Sequence, residues 1–193
     1  MKKLLVVLIV ALAAIALFVG CKENPKETPK KDPETKTYKV GDTGPAGGVI
    51  FYVNSNADKD GWTYLEAAPS DLAVTYKWST ESSISFTTET DIGKGKSNTD
   101  KLKEVGIDKF PAAEACTKYT NKGYSDWFLP SKDELNLMYT NLKSEGKGTW
   151  QNGGYWSSSA DDSTSAWREF FETGGYNLTS FDATHYVRPV RTF

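Results

Sequence analysis

The chain has 193 residues and a formal net charge of −2, from 23 Lys and Arg against 25 Asp and Glu. This length fits one domain of ordinary size, and six Trp within 13% aromatic residues exclude an intrinsically disordered chain. From Tyr38 onward 16 Lys and Arg face 21 Asp and Glu, so this part lacks the cationic surface that a nucleic-acid-binding protein requires.

The first predicted element is an N-terminal export signal. Two lysines precede an apolar run over residues 4–18, which at about 1.5 Å per helical residue falls short of the roughly 30 Å hydrocarbon core of a membrane. Its length and flanks are typical of a secretory signal peptide. Gly20-Cys21 resembles the lipobox of bacterial lipoproteins, although Phe18 stands where the usual leucine would be. The resemblance implies that residues 1–20 are cleaved and that Cys21 is lipidated.

A polar tether is predicted after the cleavage site. Residues 22–37 carry a proline at every fourth position from Pro25 to Pro33 and no aliphatic or aromatic side chain, which favours an extended, partly polyproline spacer. We therefore expect residues 21–37 to be a lipidated cysteine and its tether. The expected location is the bacterial cell envelope, at the outer membrane or the cell surface. An ordinary signal peptide followed by a coincidental cysteine is the alternative, and on either interpretation the chain leaves the cytosol.

Residues 38–193 are predicted to form one domain that begins and ends with strands. A glycine-rich turn precedes an apolar strand at Val49–Val53, and residues 62–66 are predicted to pair with it across a polar loop. Gly, Asp and Ser separate the later predicted strands, which are residues 155–158, 166–171, 176–181 and 185–191.

Helices are predicted between these two groups of strands. One begins near Pro111, because proline is favoured in the first helical turn, and is expected to end at Gly123. Another begins with a capping box from Ser131 to Glu134. Its apolar side chains recur at i, i+3, i+4 and i+7, namely Leu135, Met138, Tyr139 and Leu142. A shorter helix is expected around residues 98–105. Strands, then helices, then strands indicate an α+β fold with an antiparallel sheet.

Five segments in a fixed order carry a family resemblance. They are residues 41–52 (GDTGPAGGVIFY), 123–135 (GYSDWFLPSKDEL), 155–159 (YWSSS), 166–167 (AW) and 186–191 (YVRPVR). Together they resemble the Lcl C-terminal domain family over nearly all of residues 41–193. The resemblance implies a C-type-lectin-like fold, akin to the formylglycine-generating enzymes, with two main helices beside a twisted antiparallel sheet with long loops. It also implies surface attachment and binding or adhesion to an extracellular glycan or protein.

The chain departs from the family pattern in its closing motif. Family members often have a cysteine between the two arginines, where this chain has Pro189, and the resemblance implies that this cysteine pairs with the one in the helix. Cys116 is therefore expected to be a buried, unpaired thiol, with a reactive thiol or an intermolecular bond as the alternatives. Because Pro189 cannot donate to a sheet ladder, the last strand is expected to be an edge or irregular. The acidic balance disfavours sulfated glycans as ligands.

Few residue patterns indicate catalysis or a metal. His185 is the sole histidine in the sequence, and no nucleophile stands at a recognisable spacing from it. We therefore expect a protein that is not an enzyme and has no cofactor, with an unrecognised site around His185 as the alternative. The weak calcium candidate is Asn56, Asp58 and Asp60, which alternate before a glycine as at the start of a calcium loop. Such residues also form hairpin loops without any ion.

The expected ligand surface lies in the loops of the second half of the domain. Trp150 stands among Gly, Gln and Asn and is the tryptophan expected to be most exposed, and an aromatic face beside amides and carboxylates suits stacking on a sugar. The predicted ligand-binding residues are Trp150, Asn152, Asp161, Asp162, Tyr176 and Asn177.

The expected partners are the membrane, through the N-terminal lipid, and an extracellular glycan or protein. A nucleic acid is not expected, and a homo-oligomer stays open. An alternative function for the same fold stays open. The closing strands are rich in Tyr and Ser, which is also typical of variable display lipoproteins that a retroelement diversifies.

Overall fold

A computed structural model describes residues 36–161 and 163–193 of the chain. The predicted signal peptide, the lipidation site Cys21 and nearly all of the tether lie outside the described residues, as does Asp162. No helix within the described ranges has the length and apolar character needed to cross a membrane.

The described part of the chain is α+β, as predicted. Its strands are β1 Val49–Val53, β2 Tyr64–Ala67, β3 Tyr76–Lys77, β4 Gly154–Ala160, β5 Ser165–Phe170, β6 Tyr176–Ser180, β7 Thr184–His185 and β8 Val190–Thr192. They form three antiparallel sheets with the strand orders β1-β2-β8, β3-β7 and β4-β5-β6. The first sheet joins the two ends of the domain, and the predicted pairing of its first two strands is confirmed.

The helices lie between the two groups of strands. They are α1 Ala57–Asp60, α2 Gly95–Gly106, α3 Pro111–Lys118 and α4 Lys132–Met138, with a 3₁₀ turn at Ile107–Lys109 and a π-helical turn at Tyr139–Lys143. The short helix expected near residue 98 is the longer α2. The prediction that α3 runs to Gly123 is wrong, because Tyr119 already has an extended backbone, with φ −70° and ψ 138°.

The start of α4 is fixed by its predicted capping box. The Ser131 side chain accepts a hydrogen bond from the Glu134 backbone N–H, and the Glu134 carboxylate accepts one from the Ser131 N–H at 2.8 Å. The predicted apolar stripe is confirmed as well, since Leu135, Met138 and Leu142 are fully buried. A reciprocal cap satisfies two backbone donors that the first helical turn cannot pair itself. This cap sets the position of α4 against the sheets.

The predicted last strand, residues 185–191, is interrupted. His185 ends β7 and Val190 begins β8, which lies at the edge of its sheet beside β2. Pro189 precedes β8 and has no N–H to donate, although its carbonyl accepts a bond from Ala68 at 2.8 Å. The expectation of an edge or irregular strand at Pro189 is confirmed.

The buried apolar residues of the described ranges form three clusters, each drawn from distant parts of the chain. One cluster, which includes Trp78 and Trp156, packs α2 and α3 against the third sheet, and another, around Phe51 and Tyr155, packs α4 between the first and third sheets. Cys116 belongs to the first cluster as a free thiol, and its burial raises its pKa well above the ordinary value. The expectation of a buried thiol is confirmed.

Two buried arginines of the closing motif tie distant segments together. The Arg188 guanidinium donates to Asp71 at 2.6 Å and to the carbonyl of Ala68 at 2.8 Å. Arg191 donates to both carboxylate oxygens of Asp126, at 2.8 and 2.9 Å, and to Glu66 at 3.2 Å. Together these bonds connect the closing segment of the chain to β2, to the loop after β2 and to the loop before α4. We call this set the arginine region, which consists of Glu66, Asp71, Asp126, Arg188 and Arg191.

Candidate ligand-binding face

One side of the third sheet collects aromatic and titratable side chains. Trp167 and Glu169 are two positions apart on β5 and therefore share a face, and Tyr176 on β6 lies directly opposite Glu169. Helix α4 borders the same face with Lys132 and Asn136, which are one helical turn apart. We call these residues the aromatic face, which consists of Lys132, Asn136, Trp167, Glu169 and Tyr176.

The outer part of this face is an aromatic pair that holds an ammonium group. The Lys132 Nζ lies 4.3 Å from the ring centroid of Tyr176 and 5.2 Å from that of Trp167, within the range of cation–π attraction. The two rings meet edge to face, with centroids 5.9 Å apart. Tyr176 is 51% exposed. The face therefore offers a solvent-accessible ring beside a positive charge.

The inner part of the face contains polar atoms without partners. Glu169 is 1% exposed, and its Oε1 accepts a hydrogen bond from the Asn136 amide at 3.0 Å. Its Oε2 and the indole Nε1 of Trp167 are the side-chain atoms in the described ranges that are buried without a hydrogen-bond partner. Leaving such a group unpaired costs about 1–3 kcal/mol, so native proteins contain few of them. A donor and an acceptor on one sheet face both lack a partner.

Glu169 can change its protonation near neutral pH. Burial raises its pKa from 4.5 to about 7, while the hydrogen bond from Asn136 and the charge of Lys132 act in the opposite direction. In the ionised form Oε2 is an acceptor, and in the neutral form the carboxyl gains an O–H donor. Either form has hydrogen-bonding capacity that the described residues leave unused.

The opposite side of the third sheet carries a polar group that is internally paired. Arg168 donates to the Asn177 side-chain oxygen at 3.0 Å and lies 2.9 Å from Nε2 of His185. Burial and the charge of Arg168 lower the pKa of His185 to about 4, so its ring is neutral at pH 7. Because an arginine side chain can donate but not accept, Nε2 of His185 is occupied as an acceptor. This ring is therefore engaged in a structural contact.

The predicted ligand-binding residues do not come together at one place. Tyr176 is on the aromatic face, whereas Asn177 points to the opposite side of the sheet, where it binds Arg168. Asp161 is exposed after β4, and Asn152 is exposed in the loop before it. Asp162 lies outside the described residues.

The expected exposure of Trp150 needs correction. Its ring is half-buried and packs on Phe171 with centroids 5.0 Å apart, while the Arg188 guanidinium lies 4.0 Å from the ring. Its Nε1 donates to the Lys147 carbonyl at 2.7 Å. The polar neighbours of Trp150 in sequence suggested exposure, but Arg188 reaches it from a distant part of the chain. Trp150 supports the arginine region and offers no open ring for stacking.

The calcium candidate forms a helical turn. Asn56 precedes α1, Asp58 lies in its first turn, and Asp60 accepts a hydrogen bond from the Asn54 amide at 3.0 Å. Gly61 ends the turn in the left-handed conformation, with φ 76°. Within the described residues, no group of three or more His, Cys, Asp or Glu side chains is arranged to hold a metal ion.

Sequence reasoning missed four residues of the aromatic face. The alternation of Trp167 with Glu169 and the i, i+4 spacing of Lys132 and Asn136 each predict a shared side of one element. Neither spacing shows that α4 borders β5, because that contact depends on the folding of segments more than thirty residues apart. The bond from Asn136 to Glu169 is the contact that reveals it.

Comparison with known proteins agrees with the sequence motifs. The chain matches the Lcl C-terminal domain family over residues 56–191, which include the whole aromatic face. The match begins beyond the glycine-rich turn and β1, which therefore lie outside it. No curated protein matches the chain. On the strength of the family match, which spans more than half of its length, the chain belongs to the Lcl C-terminal domain family.

Proposed function

We propose that this chain is a lipid-anchored binding protein of the bacterial cell envelope whose domain binds an extracellular glycan or protein on the aromatic face. The observation that carries the proposal is the buried Glu169 oxygen without a partner, beneath an exposed tyrosine ring. Buried polar groups are nearly always paired in native structures. An unpaired one next to accessible aromatic surface can take a partner from outside the domain, and a bound ligand is the partner that we propose.

The chemistry of the face suits a carbohydrate. A sugar presents C–H groups to one side and hydroxyls around its edge, and the Tyr176 ring with the neighbouring Trp167 supplies apolar area for the first. Lys132 supplies hydrogen-bond donors for the second, and Glu169 an acceptor. A protein ligand with an exposed polar loop can use the same groups. None of these roles requires bond breaking, and we therefore propose binding without catalysis.

The anchoring part of the proposal rests on the sequence. The apolar run ending in Gly20-Cys21 resembles a lipobox, and attachment through more than one acyl chain is effectively stable. Mass spectrometry of the native protein is expected to show an N-terminal peptide that starts at an acylated Cys21. An unmodified N-terminus would refute the anchor and leave the binding proposal standing.

The binding part is tested on a glycan array that also carries host matrix proteins. The full-length chain is applied in a detergent without a sugar headgroup, with and without calcium. Wild type is expected to bind at least one target, and Tyr176→Ala to weaken binding about tenfold or more because it removes the exposed ring. Val74→Ala serves as the control, since Val74 is 58% exposed outside the aromatic face, and it should bind like wild type.

Two outcomes would overturn this proposal. A wild type that binds neither glycans nor matrix proteins would refute the binding function. Loss of binding in Asn177→Ala with full binding in Tyr176→Ala would move the site to the opposite side of the sheet.

A further inference from the structure

We propose that Trp167 and Glu169 form a specificity-determining pair that takes one hydroxyl group of a neutral, polyhydroxylated ligand. The hydroxyl oxygen accepts a hydrogen bond from the Trp167 indole N–H, and the hydroxyl hydrogen is donated to Oε2 of Glu169. This inference rests on the proposed function and names the ligand chemistry of the same face.

The placement of the two side chains on β5 supports a shared ligand group. Trp167 and Glu169 are alternate residues of one strand, so their backbones are about 6.6 Å apart on the same side of the sheet. A hydroxyl that accepts from one neighbour and donates to another spans roughly 5 Å between them. A separation of this size is compatible with one hydroxyl reaching both side chains.

The hydrogen-bonding capacity of the two unpaired atoms determines which chemical group of a ligand can pair with both. Trp167 Nε1 is a donor without an acceptor, and Glu169 Oε2 is a carboxyl oxygen without a partner. An ammonium group has donors and no acceptor, so it would leave the indole unpaired. A carboxylate or sulfate would accept from the indole but meet a like charge at ionised Glu169. A hydroxyl carries one donor and two lone pairs and satisfies both atoms.

The Lys132 side chain, which lies over the outer part of the face, can move aside. Lys132 lies over both aromatic rings and is 20% exposed. Its ammonium is held by the rings and by Asp133 at 3.3 Å, contacts that are individually worth about 1 kcal/mol or less at a partly exposed site. Rotation of such a side chain takes nanoseconds or less, so Lys132 is not expected to slow the entry of a ligand.

The pair is tested with the methyl glycosides of glucose, galactose and mannose as probes. Binding to the full-length chain is measured by titration at a pH of about 9, where Glu169 is ionised. At least one probe should bind wild type, and Trp167→Phe and Glu169→Gln should each weaken it about tenfold, since each removes or weakens one hydrogen bond. Trp62→Phe and Glu104→Gln are the matched controls elsewhere in the domain, since Glu104 is exposed on α2, and they should bind like wild type. Circular dichroism confirms that every variant is folded.

A pH series provides a readout that a purely structural role would not move. Affinity should rise between about pH 5 and about pH 9, because a carboxylate accepts a stronger hydrogen bond than a neutral carboxyl and burial raises the pKa of Glu169 to about 7. Lys132 from α4, itself paired with Asp133, Tyr155 from β4 and Tyr176 from β6 also border Glu169. Glu169→Gln should remove the slope, because it removes the titrating carboxyl while these groups stay in place.

The outcomes separate this inference from the wider proposal. Equal affinity of wild type, Trp167→Phe and Glu169→Gln for a probe would overturn the pair while sugar binding stands. Binding of no methyl glycoside would also overturn the pair, and the array with matrix proteins would then decide the wider function independently. A pH slope that persists in Glu169→Gln would assign the titration to another group and refute the role of Glu169.

Discussion

Both the arginine region and the aromatic face contain a buried glutamate, and the two differ in how completely it is paired. Glu66 accepts hydrogen bonds from the Gly48 N–H at 2.7 Å, the Ala46 N–H at 3.3 Å and Arg191 at 3.2 Å. Glu169 accepts one bond from Asn136 and keeps an oxygen without a partner. A buried carboxylate whose hydrogen bonds are all made inside the domain, as in Glu66, stabilises the fold. A buried carboxylate with an unpaired oxygen, as in Glu169, is a candidate ligand-binding group.

The tryptophans of the two regions show the same difference. Trp150 lies under Arg188, and its indole N–H donates to a backbone carbonyl. Trp167 lies under Lys132, and its indole N–H is buried without an acceptor. A cation over an aromatic ring is therefore not by itself a sign of a binding site. What distinguishes the structural contact from the candidate site is whether the indole N–H of the ring has a hydrogen-bond acceptor.

The largest expected effect is the loss of stability when the arginine region is broken. Arg191→Met removes the cation from buried Glu66, whose side chain is fully shielded from water. Removing one partner of a buried ion pair typically costs about 3–5 kcal/mol. Urea unfolding followed by circular dichroism should show this loss in the free energy of unfolding.

Lys96→Met is the control for that experiment, because it breaks an exposed ion pair with Asp100. Exposed pairs contribute about 0–1 kcal/mol, so the control should change little. A loss below about 1 kcal/mol in Arg191→Met would contradict the structural role of the arginine region.

A smaller, pH-dependent effect is expected at Glu169. Because folding raises its pKa from 4.5 to about 7, its protonation contributes stability that is complete below about pH 4.5 and is lost as the pH rises through about 7. Glu169→Gln removes this dependence. Relative to wild type, the variant should gain up to about 3 kcal/mol between about pH 5 and about pH 9.

Glu134 must be considered in the same measurement, since burial also raises its pKa to about 7. It is present in both proteins, so its contribution cancels in the difference between them. A difference in unfolding free energy that stays constant across this pH range would show that folding does not raise the pKa of Glu169, and would remove the contrast with Glu66.

The smallest expected effect on stability is that of Tyr176→Ala. Tyr176 is half exposed and contacts Trp167 and Lys132 at the surface, so its removal should cost less than about 1 kcal/mol. Thermal unfolding of this variant should therefore resemble that of wild type while ligand binding falls. A large loss of stability would place Tyr176 in the scaffold.

Local patterns along the chain account for much of the fold. The capping box from Ser131 to Glu134 identified the start of α4, and the apolar run at Val49–Val53 identified β1. Both signals lie within a few residues, where backbone geometry is decided by near neighbours. The end of α3 was misplaced by five residues because Tyr119 becomes extended without a local glycine or proline.

The candidate site was harder to predict from the sequence than the fold was. Tyr176 was among the residues predicted for the ligand-binding loops of the second half of the domain, but its partners were not identified. Trp150 was judged by polar neighbours, and the covering contact comes from Arg188, which is 38 positions away. Whether the Glu169 oxygen is paired depends on α4, β4 and β6 together. No local pattern contains that information.

The most direct test of the central claim compares two tryptophan signals. The indole ¹H–¹⁵N resonances of Trp150 and Trp167 can be assigned with the Trp150→Phe and Trp167→Phe variants and followed during titration with a glycan or methyl glycoside that binds. We expect the Trp167 signal to shift until binding saturates, while the Trp150 signal keeps its position. A shift of Trp150 with an unchanged Trp167 would contradict the central claim.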